Sequence, residues 1–516
     1  MLPPHPDERQ AAQTRSSKLV DLVVIGGGIN GSGIAVDAAG RGLSVLLCEQ
    51  HDLAAHTSSA SSKLVHGGLR YLEQFDFRLV REALGEREVL MAKAPHLIWS
   101  LRFVLPHRPH LRPRWMLRAG LFLYDHLHRG ITLPRSKALE LNGQGILNPV
   151  ISHAFEYSDC WADDSRLVAL NAVQAASLGA DIRLHTRCES ARRRNDLWEI
   201  DLLGPDEKLE RVTARALVNA SGPWAARVME RVVDQRSPHG VRLVKGSHIV
   251  VPQIHRGKEA YILQNEDKRI VFVLPYEGQF SLIGTTDVDF QGDPSVVEPD
   301  ASEVDYLISV VNAHFKRQLR AEDVVHSFAG VRPLISTDTA KPSEVSRDYS
   351  LTLDGEIGQA PLLAVFGGKL TTYRRLAENA MDQLARWFPE AGKAWTAEHA
   401  LIGGDFESQA SLHAQLRAEF RWLAEEQIAR YVRSYGTLCR VFLRGMRCAP
   451  DMGEDFGAGL TEREVKYLRE HEWARDAETL LWRRSKLGLH LSADQQARLA
   501  AYLEELNTAE REVCPS

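Results

Sequence analysis

At 516 residues, with 44% hydrophobic and 25% charged side chains, the chain is too long for one ordinary core and too apolar to be disordered, so two or three domains are expected. A formal net charge of −5 argues against a nucleic-acid binder that works through bulk positive charge. The six cysteines are scattered, without a C-x-x-C pair; this suits a reducing compartment and supports neither a zinc site nor a disulfide framework.

Residues 1–17 are polar and proline-rich and lack the apolar stretch of a secretory signal, so they read as a disordered tail. No run approaches the ~18 apolar residues that a membrane span needs. The chain is therefore expected in the cytoplasm, touching a membrane only at its surface.

The first regular element is the β-branched run Leu22–Ile25, patterned as a buried parallel strand. Gly26-x-Gly28-x-x-Gly31 follows at once, then a helical stretch through Ile34, Ala35, Ala38 and Ala39, then a second strand from Leu43 to Cys48 that ends on Glu49. Glycines in this order let the backbone turn tightly and approach a pyrophosphate, which sits at the positive end of the helix. Glu49 lies 18 residues beyond Gly31, placed to accept hydrogen bonds from a ribose. An acid there favours FAD or NAD over a 2′-phosphorylated nucleotide.

The next stretch, TSSASSKLVHGGLRYL (57–72), crowds hydroxyls, a lysine, a histidine, two glycines and an arginine into one segment. Residues 89–124 contain no Asp or Glu, but carry Lys93, Arg102, Arg108, Arg112, Arg114 and Arg118 among Trp99, Phe103, Trp115, Met116, Leu121, Phe122 and Tyr124. Such a basic and aromatic block is a candidate seat on an anionic lipid surface; a basic loop packed on the acidic body, or a funnel for an anionic substrate, is the alternative.

Further along, ALVNASGPW (216–224) is a strand running into Ser221–Gly222. Residues 241–288 read as a sheet of short β runs with turns between them. LLAVFGGKLTTYRRLAENAMDQL (362–384) is a strand, a glycine turn, and a helix whose apolar face is Tyr373, Leu376, Ala377, Ala380 and Leu384. From about 390 the pattern turns helical and charged, with Thr461-x-x-Glu464 and Ser492-x-x-Gln495 as capping boxes. A nicotinamide enzyme would complete its cofactor domain early; glycine turns this late, with Lys369 at a helix start to stabilise the anionic reduced ring, favour FAD.

GGGINGSG, TSSASSKLVHGGLRYL, FEYSDCW (155–161), GSHIVV, AYILQNEDKRIVFVLPY, IGTTD, GVRPL and FGGKLTTYR closely resemble motifs of the FAD-dependent sn-glycerol-3-phosphate dehydrogenases, from about Asp21 to the C-terminal helices. The resemblance implies an α/β fold: a discontinuous Rossmann-like FAD-binding domain (18–90, 150–235 and 325–385), a basic membrane-facing insertion (91–149), a β-rich substrate or cap domain (236–324) and a C-terminal helical domain (386–516). It implies FAD contacts from Gly26, Gly28, Asn30, Gly31, Glu49, Thr57, Ser58, Ser62, Lys63, His66, Gly67, Gly68, Ser221, Gly222, Gly368, Lys369, Leu370 and Thr371. It also implies a homodimer attached to the cytoplasmic face of the plasma membrane, with no nucleic-acid partner.

The implied reaction oxidises the C2 alcohol of glycerol 3-phosphate to dihydroxyacetone phosphate, with quinone or O2 as electron acceptor. Arg332 and Arg70 are the candidate phosphate clamps, since a guanidinium fork matches phosphate oxygens, with Tyr71 as a hydrogen-bond donor. His66 and His248 are the candidate bases, with pKa values near the operating pH, and Lys369 is the candidate cation between flavin and substrate. His66, Arg70, Arg332 and Lys369 are expected to converge on one face of the flavin ring. A flavin-bound scaffold without turnover is the reading from another class; the set of His, Arg and Lys candidates weighs against it.

Overall fold

The computed structural model describes residues 19–108, 111–267, 269–335 and 348–513, without the side chains of residues 70, 73, 74 and 513. The expected tail lies outside these residues.

The chain opens with strand β1 (Leu19–Ile25), helix α1 (Ile29–Gly40) and strand β2 (Val45–Cys48). A long excursion follows: β3 (Leu64–Val65), α2 (Phe77–Lys93), β4 (Ile98–Pro106), α3 (Arg114–His126), β5 (Lys137–Glu140) and β6 (His153–Ala162). Helix α4 (Asp164–Ser177) leads back to β7 (Asp181–Arg183), β8 (Arg187–Arg194), β9 (Leu197–Leu203) and β10 (Leu209–Asn219), and α5 (Ala225–Arg231) leads out again. Then come β11 (Val241–Pro252), β12 (Ala260–Gln264), β13 (Ile270–Tyr276), β14 (Phe280–Gly284), β15 (Val288–Phe290), α6 (Ala301–His314) and β16 (His326–Ile335). Strands β17 (Ser350–Asp354) and β18 (Leu362–Phe366) and helix α7 (Tyr373–Leu384) precede the C-terminal helices.

Two sheets organise the molecule. The first has the order β17-β18-β10-β1-β2-β7, and its four central strands run parallel. Leu22, Val23, Val24, Leu46 and Leu47 are completely buried, because α1, α4 and α7 cover one face and a smaller apolar layer fills the other. The expected apolar face of α7 is buried at all five positions.

The second sheet has the order β15-β11-β14-β13-β12-β4-β6-β3, with β16 also on β11 and β5 on β6. Pairing here differs from the sequence partition. Ile98–Pro106, assigned to a peripheral insertion, bridges β6 and β12, and His153–Ala162, assigned to the cofactor domain, lies in this second sheet. Period-2 alternation marks a strand but not its neighbour, so a strand drawn from 50 residues or more away is invisible to it.

The two expected capping boxes fare differently. Ser492 and Gln495 bond reciprocally, 2.9 and 3.3 Å. Thr461 makes no side-chain cap, because Glu464 is drawn inward to Arg430 and Tyr435. Buried ion pairs pin the C-terminal helices to the body: Arg166 to Glu472, Arg484 to Asp52 at 2.7 Å, and Lys486 to Asp163 at 2.6 Å.

Candidate active site

The glycine turn after β1 is shaped by close approach. Gly26 has φ +112°, and a Cβ there would stand 2.6 Å from the Ala220 carbonyl. At Gly31 a Cβ would run into the Gly26 carbonyl oxygen, so the turn closes only without side chains at both positions. Glu49, at the end of β2, accepts from the Gly27 amide at 2.7 Å and the His51 amide at 2.8 Å. Burial pushes its carboxyl up, and these two amides pull the other way.

A cavity of about 570 Å³ runs along this turn. It joins Gly26, Gly28 and Asn30 to Glu49, Thr57 and Ser58, to Ser221–Gly222, and to Gly367–Gly368. The Oδ1 of Asn30 is buried without a hydrogen-bond partner among the described residues, while its Nδ2 donates to the Gly367 carbonyl at 3.1 Å. A long groove joining three glycine turns, an acid at a ribose position and an orphaned acceptor fits FAD. His56 and Trp224 form an aromatic wall in the same cavity, ring centroids 4.8 Å apart; neither carries a sequence signal, since they meet only through the fold.

The hydroxyl segment divides its work. Ser58 Oγ caps the start of α1, accepting from Ile29 N at 3.0 Å, and Thr57 donates to the Val331 carbonyl at 2.7 Å. Lys63 is 2% exposed, and its ammonium donates to Asp164 at 2.7 Å and the Ser59 carbonyl at 3.0 Å. That ammonium is satisfied by Asp164 and by the loop's own backbone. Ser62 Oγ lies 3.0 Å from His248 Nε2.

His248 sits on β11 with Gly284 of β14 on one side and Phe328 of β16 on the other. Its ring stacks on Phe328, centroids 4.9 Å apart and 15° from parallel, and a Cβ on Gly284 would strike it. His248 Nδ1 is buried and has no partner among the described residues. Burial, with Arg332 and Lys63 nearby, holds this imidazole well below the ordinary histidine pKa. Arg332 lies on the same face of β16 as Phe328, two residue pairs along. Its guanidinium is held by Asp287 at 2.6 Å, Thr285 Oγ1 at 2.9 Å and the Thr286 carbonyl at 3.2 Å. The IGTTD motif thus holds the GVRPL arginine, a pairing the two motifs do not announce separately.

His66 belongs to a neighbouring group. Its amide donates to Thr371 Oγ1 at 3.2 Å, in the 3₁₀ turn Leu370–Thr372 that opens α7. Lys369 Nζ stands 4.0 Å from the Tyr71 ring centroid, a cation–π contact. Gly67 N donates to Tyr124 Oη at 2.9 Å, and Gly68 takes φ +74° to start the 3₁₀ turn Leu69–Gln74. The Arg70 side chain lies outside the described residues. The predicted residues thus form two clusters, Ser62–His248–Arg332 and His66–Thr371–Lys369–Tyr71, joined through residues 62–66.

Residues 21–374 match the family model described as FAD-dependent oxidoreductase. The chain is 58% identical to a glycerol-3-phosphate dehydrogenase of Pseudomonas aeruginosa, over 95% of this chain and 96% of the relative. It is 53% identical to the aerobic glycerol-3-phosphate dehydrogenase of Escherichia coli over 94% and 97%. It is also 50% identical to a D-erythritol 1-phosphate dehydrogenase of Brucella abortus over 94% and 98%. The crystal structure of the Bacillus halodurans glycerol-3-phosphate dehydrogenase complexed with FAD superposes with a TM-score of 0.71, at 25% identity, over 96% of this chain and 95% of that one. The chain belongs to the FAD-dependent glycerol-3-phosphate dehydrogenase family, and FAD is its cofactor.

Proposed function

We propose that this member of the family oxidises the C2 alcohol of sn-glycerol 3-phosphate to dihydroxyacetone phosphate and delivers the electrons to a membrane quinone. The observation that carries the substrate reading is the β11–β14–β16 corner, where a braced guanidinium and an uncharged imidazole stand on one face beside the cofactor groove. Arg332 is fixed by Thr285 and Asp287 before substrate arrives, so little side-chain entropy remains to be lost on phosphate binding. FAD, when bound, supplies the acceptor for the hydride that leaves C2.

The alcohol proton needs a base. His248 is neutral because it is buried beside Arg332; a phosphate dianion on that arginine would offset the charge and raise the imidazole's proton affinity as substrate binds. Ser62 orients the ring through Nε2. His66, whose backbone is tied to the turn that opens α7, is the other candidate. Lys369, at that helix start, would supply a cation to the ring that gains negative charge on reduction.

The quinone reading rests on α3. Trp115 and Phe122 are 70% and 58% exposed on its outer side, flanked by exposed Arg112, Arg114 and Arg118, as on a helix lying in a lipid–water interface. No helix among the described residues is long and apolar enough to cross a membrane.

The test is anaerobic mixing of the FAD-loaded protein with glycerol 3-phosphate. Bleaching of the flavin absorbance is expected; an unchanged spectrum sinks the substrate assignment. D-Erythritol 1-phosphate is run in parallel, because a relative half identical to this chain carries that name, and the larger kcat/KM decides between the two polyol phosphates. Reoxidation of the bleached protein by a quinone analogue or by O2 identifies the acceptor.

A further inference from the structure

Outside the active site, a group of cationic side chains lies beneath the C-terminal half of α3. A cavity of about 290 Å³ is lined there by Arg87, His126, His128, Arg129 and Arg135, with Asp125 as its one carboxylate. Arg87 lies on the inner wall and is 1% exposed. Its two terminal nitrogens reach Asp159, the Ser158 carbonyl and Glu88, but its buried Nε has no hydrogen-bond partner among the described residues. Arg129 and Arg135 are exposed at the mouth. Asp125 is already occupied, accepting from the Ser136 amide at 2.9 Å and hydroxyl at 2.6 Å.

The cavity adjoins the apolar outer side of α3 through one shared residue. His126, which lines it, packs against Phe122 with ring centroids 4.2 Å apart. Arg87 is neutralised by Asp159 and Glu88, so the cavity offers an anion the open Arg87 Nε on its inner wall and the two exposed guanidiniums of Arg129 and Arg135 at its mouth, and planar forks of this kind match phosphate oxygens. The volume holds a phosphodiester with a small polar substituent but not a dinucleotide. An apolar helix side next to an anion cavity has one natural common ligand, a molecule with a phosphate head and hydrocarbon tails.

We infer that this cavity is a binding site for the phosphodiester headgroup of an anionic glycerophospholipid. The inference rests on α3 facing a membrane surface. It makes the seat a stoichiometric lipid site rather than a diffuse basic patch.

The experiment titrates monomeric short-chain phosphatidylglycerol into the FAD-loaded protein, followed by calorimetry, with inorganic phosphate in a parallel arm. Saturable binding at one site per chain is expected, weakened about tenfold or more in Arg129→Gln/Arg135→Gln and retained in Arg112→Gln/Arg114→Gln, which removes the same charge outside the cavity. Absence of saturable binding overturns the inference, as does equal loss in both double variants or binding that survives the first. Inorganic phosphate binding as tightly as the lipid would make the site one for soluble anions. All four arginines are away from the flavin, so the flavin spectrum reports that each variant is folded and loaded. No turnover is involved, so failure here is distinct from failure of the substrate assignment.

Discussion

The two corners of the active site are built by opposite means. In the turn after β1 the backbone itself makes the binding surface: glycines clear space and amides point outward, so side chains matter mainly by being absent. In the β11–β14–β16 corner the backbone is ordinary antiparallel sheet, and the candidate groups for the chemistry are side chains that cross-strand register sets side by side. The first kind of site is one contiguous stretch of chain; the second is drawn from residues 62, 248, 285, 287 and 332, held by hydrogen bonds across three strands and a loop. The comparison teaches that a single added methyl should break each corner differently, removing the cofactor in one and the chemistry in the other.

The largest effect is expected at Gly31→Ala. A Cβ there collides with the Gly26 carbonyl, a backbone clash that no rotamer change relieves, so the purified variant should lose its flavin absorbance almost entirely. Retention of stoichiometric FAD would show that the turn is not built as described.

Gly284→Ala comes next. Its methyl would strike the His248 ring, so kcat/KM should fall by about 100-fold, in the range of a lost or displaced general base, with FAD retained. Loss of flavin in this variant would mean that the two corners are one structural unit. Arg332→Ala should match its kcat/KM loss, but by raising KM.

The smallest effect is a slope. The folded-state pKa of His248 is depressed below its ordinary value of 6.5, so the unfolded chain binds the extra proton first as pH falls. The stability this neutral ring contributes is full above pH 6.5 and is lost on acidification below it, at about 1.4 kcal/mol per pH unit for one group. Thermal unfolding of apoprotein between pH 7 and 5 should be measurably less steep in pH for His248→Asn than for the wild type; parallel curves would mean the ring is not buried in solution.

Legibility in the sequence followed the same divide. The glycine turn, Glu49, the late Gly367–Gly368 turn and the buried face of α7 could be read from chain order, because each is set by residues within a few positions of one another. Lys63 could not: its ammonium goes to Asp164, 101 residues away, and nothing local signals that partner. Arg332 could be singled out as a candidate clamp, but not Asp287 and Thr285 as its braces, and Trp224 and His56 gave no sign of forming a cavity wall. Thr461 shows the converse, a correct local pattern outbid by Arg430 across a helix pair.

What the sequence alone determined was the class of cofactor, the presence of a parallel core strand pair and the short list of groups able to handle a phosphate and a proton. Those follow from local constraints: sterics at glycine, periodicity of burial, and the intrinsic chemistry of arginine and histidine. Only the tertiary structure decided which of those groups meet. That depends on which strand pairs with which and in what register, and a slip of one residue would turn His248 and Arg332 to the other face of their sheet.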